Sequence, residues 1–178
     1  MLSQGFALRP ETEADTDFLM RLYASTREEE LAQAPWSVAQ KQEFVAGQFR
    51  AQRHHYRTYF GDAAFDVLEQ NGEPAGRLYL QVRQTQLHIM DITLMPPWRG
   101  RGIGTAMLQA LQAAGRAHRK GVGIMVEKYN PAMRLYRRLG FVDLKDHGVY
   151  LEMEWLPEAR SARSEAEPSP AAAGSFGS

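Results

Sequence analysis

Apolar positions along the chain change their period several times, and each change marks an element. Phe18, Leu19, Leu22 and Tyr23 recur at helical spacing behind Thr12 and Asp15, a pair placed to open a helix in the manner of a capping box. Phe44, Val45, Phe49 and Tyr56 repeat that period behind a second such pair, Ser37 and Gln40, and predict a long second helix. Residues 64–69 and 75–83 then read as extended arms on either side of Asn71-Gly72-Glu73-Pro74, the turn chemistry of a β-hairpin. The second arm sets Leu78, Leu80 and Val82 against Arg77, Tyr79, Gln81 and Arg83, as a strand with unlike faces does. Leu87 to Met95 hardly alternates. It therefore reads as a central strand covered on both sides, stopped by Pro96 and Pro97.

The second half continues in the same way. Ile103, Met107, Leu108, Leu111 and Ala114 form a helix whose apolar stripe must lie on a sheet, and 121–126 returns as a strand. A strand, a helix and a neighbouring strand imply a right-handed parallel crossover. Asn130 is placed to cap a further helix, with Pro131 at its first position and Gly140 just past its end. Residues 141–146 and 149–155 make a closing hairpin, and 5–9, closed by Pro10, a short first strand. Glu28-Glu29-Glu30 falls where the first helix should be ending, a position the helix dipole disfavours, so it reads as a solvated, frayed end. Together these elements predict a single α/β domain over 5–156, a mixed α+β sheet, mostly antiparallel, flanked by helices. From 157 to 178 the chain offers Ala, Ser, Glu, Pro and Gly with almost nothing to bury, and is expected to be a disordered tail.

Composition narrows the function classes. The 178 residues are 44% hydrophobic and carry 21 basic against 21 acidic side chains, so no global field draws in nucleic acid or an anionic membrane. The local cluster Arg50, Arg53, His54, His55 and Arg57 accordingly reads as a solvated helix face rather than a nucleic-acid site. His54 and His55 are adjacent, point apart, and cannot share a metal. The absence of cysteine removes disulfides, thiolate nucleophiles and thiolate metal sites. Residues 1–10 are too short and mixed for a secretory signal, and no run reaches membrane-spanning length. The expectation is a cytoplasmic protein without metal, membrane or nucleic-acid partners; self-association as a homodimer is left open.

The chemistry concentrates in Leu94-Met95-Pro96-Pro97-Trp98-Arg99-Gly100-Arg101-Gly102-Ile103-Gly104-Thr105. Glycines at 100, 102 and 104 allow successive N–H groups to approach an anion, and the helix that follows adds its unpaired N–H groups and positive dipole end. A nucleotide P-loop needs Lys and then Ser or Thr after its last glycine, whereas Thr105 and Ala106 follow Gly104. The dinucleotide fingerprint also fails, because Thr105 stands where its third glycine belongs.

Arg99, Gly102 and Gly104 do fit Arg-x-x-Gly-x-Gly, which resembles the acetyl-CoA pyrophosphate loop of the GNAT superfamily of N-acetyltransferases. A second match lies in the expected order: Asn130-Pro131-Ala132-Met133-Arg134-Leu135-Tyr136-Arg137-Arg138-Leu139-Gly140-Phe141 resembles the helix after that superfamily's fifth strand. The resemblance covers roughly 5–156 and is specific from about 87 to 141. It implies a sheet splayed between the fourth and fifth strands and direct acetyl transfer from acetyl-CoA to a primary amine. Acetyl-CoA would be held by Arg99, Gly100, Arg101, Gly102, Ile103, Gly104, Thr105 and Ala106, with its pantetheine arm along Thr93, Leu94 and Met95 and a further contact at Asn130. A backbone N–H of Leu94 or Met95 would meet the acetyl carbonyl. The resemblance makes Tyr136 the acid for the departing sulfur and His88 a base for the amine; Glu127, at the end of the next strand, is a second base candidate. Strict alternation would put His88, Met90, Ile92 and Leu94 on one face and Asp91 opposite, in a structural hydrogen bond, although a bulge would flip that parity. The alternative is a non-catalytic acyl-CoA-binding or protein-interaction module on the same fold.

Overall fold

Among the described residues, seven strands form one sheet in the order β1-β2-β3-β4-β5-β7-β6, and every neighbouring pair is antiparallel except β4 with β5. The strands are β1 (Phe6–Pro10), β2 (Ala64–Gln70), β3 (Glu73–Val82), β4 (Gln86–Leu94), β5 (Gly121–Glu127), β6 (Val142–Asp146) and β7 (Tyr150–Trp155). The helices are α1 (Thr16–Ser25), α2 (Glu28–Ala32), α3 (Val38–Tyr59), α4 (Ile103–His118) and α5 (Met133–Arg138). This computed structural model describes residues 5–158. The expected disordered tail falls on 157–178; Pro157 is buried and Glu158 exposed, and 159–178 lie outside the described residues. Leu156 packs beside Gly121.

Two cores divide at adjacent residues of β2. Leu68 belongs to the core beneath α4, with Leu78, Ile89, Met107, Leu108, Val122 and Met153. Val67 belongs to the other, with Leu19, Leu22, Tyr23, Val45 and Phe49 of α1 and α3. Successive side chains of a strand point to opposite faces, so the sheet is sandwiched between α4 and the α1–α3 layer over its first half. The Asn71-Gly72 turn that joins β2 to β3 takes φ of 50° and 86°, the positive pair a type I′ hairpin turn requires.

The two faces of β3 are unlike, as the alternation predicts, and both are covered. Arg77, on the polar side, is 2% exposed, because its face lies beneath α3. Its Nη2 donates to Asp91 Oδ2 at 2.6 Å and to Gln52 Oε1 at 3.0 Å, and its guanidinium lies 4.7 Å from the Tyr79 ring centroid. Tyr79, also buried, donates its hydroxyl to Glu11 Oε2 at 2.6 Å.

The β3–β4 register corrects the parity expected of β4. Tyr79 opposes Asp91 but Leu80 opposes Ile89, which leaves Met90 as a bulged residue. Alternation is therefore reversed across Met90: His88, Asp91 and Thr93 share the face of Arg77, Tyr79 and Gln81, while Leu87, Ile89, Ile92 and Leu94 share the α4 face. Asp91 does not face away from His88.

Smaller differences have equally local causes. Glu28, Glu29 and Glu30 do not fray from α1, which ends at Ser25; they form the first turn of α2, where the helix dipole favours acidic groups. Thr12 and Asp15 open a 3₁₀ turn, Glu13–Asp15, ahead of α1, and the Asp15 carboxylate accepts from the Thr12 N–H at 2.7 Å. Of the basic residues on α3, Arg53 and Arg57 reach Glu13 and Glu11, tying the helix to the segment after β1. Asn130 accepts the Ala132 N–H at 2.8 Å, yet α5 starts only at Met133, so the asparagine closes a turn before the helix rather than its first residue.

β4 and β5 pair only from Gln86 to Ile89 and from Gly121 to Ile124, and then part. At the closed end of this wedge the Gln86 side chain lies across Gly123, where a Cβ would collide with it, and donates to Glu154 Oε1 of β7 at 2.8 Å. Because Arg77 is a buried charge, Asp91→Ala should destabilise the fold by about 3–5 kcal/mol in urea unfolding, the range for breaking a buried pair from one side. A loss under about 1 kcal/mol would show that Gln52 and Tyr79 suffice to hold the guanidinium.

Candidate active site

Beyond Ile89, β4 has no strand partner on its β5 side among the described residues, and its backbone groups there border the wedge. The Met95 N–H donates to Ala75 O at 2.9 Å, which makes Ala75 and Met95 a hydrogen-bonded pair across β3 and β4. Antiparallel ladders alternate, so Leu94, opposite Gly76, turns its N–H and C=O away from β3 and into the wedge. Of the two donors weighed from sequence, Leu94 N–H is open and Met95 N–H is engaged. The Met95 side chain packs into the α1–α3 core, and Thr93 Oγ1 donates to Asp91 Oδ1 at 2.5 Å.

After β4 a 3₁₀ turn, Pro96–Trp98, leads into the glycine loop. Gly100 and Gly102 take φ of 69° and 78°, conformations that favour glycine, and a Cβ on either would meet open space rather than protein. The first α-helical bond of α4 runs from the Ala106 N–H to Gly102 O at 3.0 Å. The N–H groups of Ile103, Gly104 and Thr105 precede that bond and have no intrahelical acceptor, which is the geometry of an anion site at a helix start. Ala106, expected in the cradle, uses its N–H inside the helix. Ile103 sends its side chain into the core, and a Cβ on Gly104 would lie 3.6 Å from Leu135 of α5, so the loop's helix and α5 abut. Arg101 rests its guanidinium 5.3 Å from the Trp98 ring centroid, whereas Arg99 turns back towards β4.

Tyr136 is 3% exposed, edge-on to Phe141, and its hydroxyl has no hydrogen-bond partner among the described residues. Burial, with Asp91's negative charge adding, pushes it up to about 12, so it keeps its proton at neutral pH. It is held by a helix end built from Gly140, whose φ of 86° lets Phe141 N–H return to Tyr136 O at 3.0 Å.

His88 opposes Gln81 of β3 and Gly123 of β5, half-buried. Burial, then the positive charge of Arg83, pushes it down to about 4, so the ring is neutral at pH 7 and carries a free lone pair. Glu127 stands exposed at the end of β5, on His88's face by the alternation from Gly123. The fold thus brings His88 and Glu127 to one face of the sheet. The structural hydrogen bond expected of Asp91 is present, but sequence reasoning missed its partner Arg77, because an arginine in an alternating strand carries no signal of what lies above it.

Residues 18–141 match the Acetyltransferase (GNAT) family, and the chain belongs to it. Two solved structures share the fold at a TM-score of 0.64. The PaiA N-acetyltransferase of Thermoplasma acidophilum, in complex with coenzyme A, is 14% identical, with 85% of this chain and 99% of that one covered. An acetyltransferase of Thermus thermophilus is 20% identical, with 88% and 100% covered. An N-alpha-acetyltransferase of Sulfurisphaera tokodaii is 30% identical over 106 residues; the match takes in 51% of this chain and spans only 62% of that relative's length.

The depressed His88 has a readable sign. Folding favours its neutral form, so the stability it contributes is complete above the unfolded value near 6.5 and is lost as pH falls from there through about 4. His88→Gln should flatten the pH dependence of unfolding free energy in that window, and the His88 ring resonances should titrate near 4 in NMR. Titration near 6.5 would mean that the ring is hydrated.

Proposed function

We propose that the chain transfers an acetyl group from acetyl-CoA directly to a primary amine. The observation that carries this reading is the wedge: β4 leaves β5 after Ile89 so that the open Leu94 N–H and the free N–H groups at the start of α4 border one opening. Gly100, Gly102, Ile103, Gly104 and Thr105 would surround the pyrophosphate, with Arg101 at the rim, and Thr93, Leu94 and Met95 would run beside the pantetheine arm as a strand edge does. Asn130 would border that arm. Acetyl-CoA supplies the activated acyl group; the protein supplies no nucleophile.

Each residue then has one task. Leu94 N–H donates to the acetyl oxygen, where a fixed donor matters most as negative charge develops. His88 accepts a proton from the incoming ammonium, which is almost wholly charged at neutral pH; because burial weakens His88 as a base, Glu127 on the same face is the alternative acceptor. The amine forms the new C–N bond, its nitrogen then loses a second proton to solvent, the C–S bond breaks, and the Tyr136 hydroxyl gives its proton to the leaving sulfur. The phenol is later reprotonated from solvent. The relative named as an N-alpha-acetyltransferase supports the α-amine of a polypeptide as the first acceptor to try, ahead of polyamines and amino sugars.

Acetyl-CoA at about 100-fold over its Kd should stabilise the fold by about 2.7 kcal/mol, visible as a raised Tm, while ATP and NAD should leave it unchanged. A shift with ATP and none with acetyl-CoA would end the reading. Tyr136→Phe should keep Tm and acetyl-CoA affinity but lower kcat by about 10²- to 10⁴-fold, and by less with an acyl donor whose thiol leaves more readily. Full kcat in that variant would make Tyr136 a packing residue. Acetyl-CoA binding without turnover across peptide and small amines would favour the non-catalytic module.

A further inference from the structure

The motif assigns Arg99 to the phosphates, but its side chain is already committed elsewhere. Nε donates to Leu94 O at 2.9 Å and Nη2 to Ser25 Oγ at 3.1 Å. Ser25 is itself buried and gives its single hydroxyl proton to Leu22 O at 2.7 Å, so towards Arg99 it acts as an acceptor. One guanidinium thus ties three segments: the glycine loop, the end of β4 and the last turn of α1.

The bond to Leu94 has a particular consequence. Past Ile89 the β5 side of β4 is an open edge, where both an N–H and a C=O of Leu94 are exposed to the wedge. Arg99 occupies the C=O, while the Met95 N–H of the same peptide is held by Ala75 O at 2.9 Å. That peptide is fixed at both ends, and the Leu94 N–H, which belongs to the peptide just before it, is the polar group that Leu94 leaves facing the opening. We propose that Arg99 is a positioning residue that stands in for the missing strand, fixing the Leu94 donor and fastening the loop to α1, and is not a ligand of the cofactor's phosphates. The proposal rests on the acetyl-CoA reading for its kinetic consequence but not for its structural one.

Arg99→Lys separates the two roles, since lysine keeps the charge and loses the planar fork that serves two directed acceptors. We expect Arg99→Lys and Arg99→Ala to leave the CoA Kd, by calorimetry, within about twofold of wild type while kcat falls about 10- to 100-fold, the scale of a misplaced reacting group. Ser25→Ala should lower kcat in the same direction and add little to Arg99→Lys, because both break one chain of bonds. Without any ligand, amide exchange of residues 20–27 should be faster in Arg99→Lys than in wild type. A CoA Kd raised about tenfold or more in Arg99→Ala and restored by lysine would make Arg99 a phosphate ligand and overturn the proposal. Unchanged kcat with unchanged exchange would also overturn it. If wild type binds no CoA, the acetyl-CoA reading fails instead, and the exchange comparison still decides whether the strap exists.

Discussion

A strand that loses its neighbour halfway along must find other partners for its backbone, and β4 is such a strand. Its first residues pair with β3 and β5 together; its last residues pair with β3 alone. Everything distinctive in the molecule follows from that half-free edge. The Met90 bulge lies just where β4 and β5 part, so the sheet changes side-chain parity at the point where it opens. Pro96 and Pro97 end the strand without offering further donors, and the glycine loop brings the start of α4 back beside the vacated edge. An open edge is ordinarily a liability for aggregation; recessed in a wedge, it becomes a surface on which an extended ligand can be held.

The two halves of the sheet are treated differently by their surroundings. The first half has helices on both faces, which forces Arg77 and Asp91 to neutralise each other in the interior. The second half is covered by α4 on one face only, and Met125, Glu127 and Tyr150 are exposed there. His88 lies at the seam between these regimes, which accounts for its half-burial and its neutrality. A buried ion pair does little for net stability, but it holds Asp91, and through it Thr93, in one arrangement beside the opening.

Much of this is legible in the chain itself. Hydrophobic period places the main helices and strands around the loop because those elements bury one continuous stripe each, and Asn71-Gly72 specifies its hairpin because few other pairs tolerate two positive φ values. The glycine loop and the helix bearing Tyr136 stand out for the same reason: their residues answer to local backbone geometry. What is not legible depends on distant segments. The Met90 bulge interrupts an unbroken apolar run and leaves no trace in its pattern. Arg77 follows a correct alternation yet is buried, because α3 arrives from elsewhere in the chain to cover it. Glu28 to Glu30 read as the end of the wrong helix because a two-residue break between helices has no compositional mark.

The Gln86 side chain, lying across Gly123 to reach Glu154, joins β4 to β7 over the top of the strand between them. It works as a rivet at the closed end of the wedge, far from the edge that would receive a ligand. The bond falls where β4 and β5 are still paired, on the closed side of the gap. The cost of parting two strands is met once, during folding, and not at each encounter with a ligand. Gly123 keeps its place under this constraint, because a side chain there would meet the Gln86 amide and displace it from Glu154.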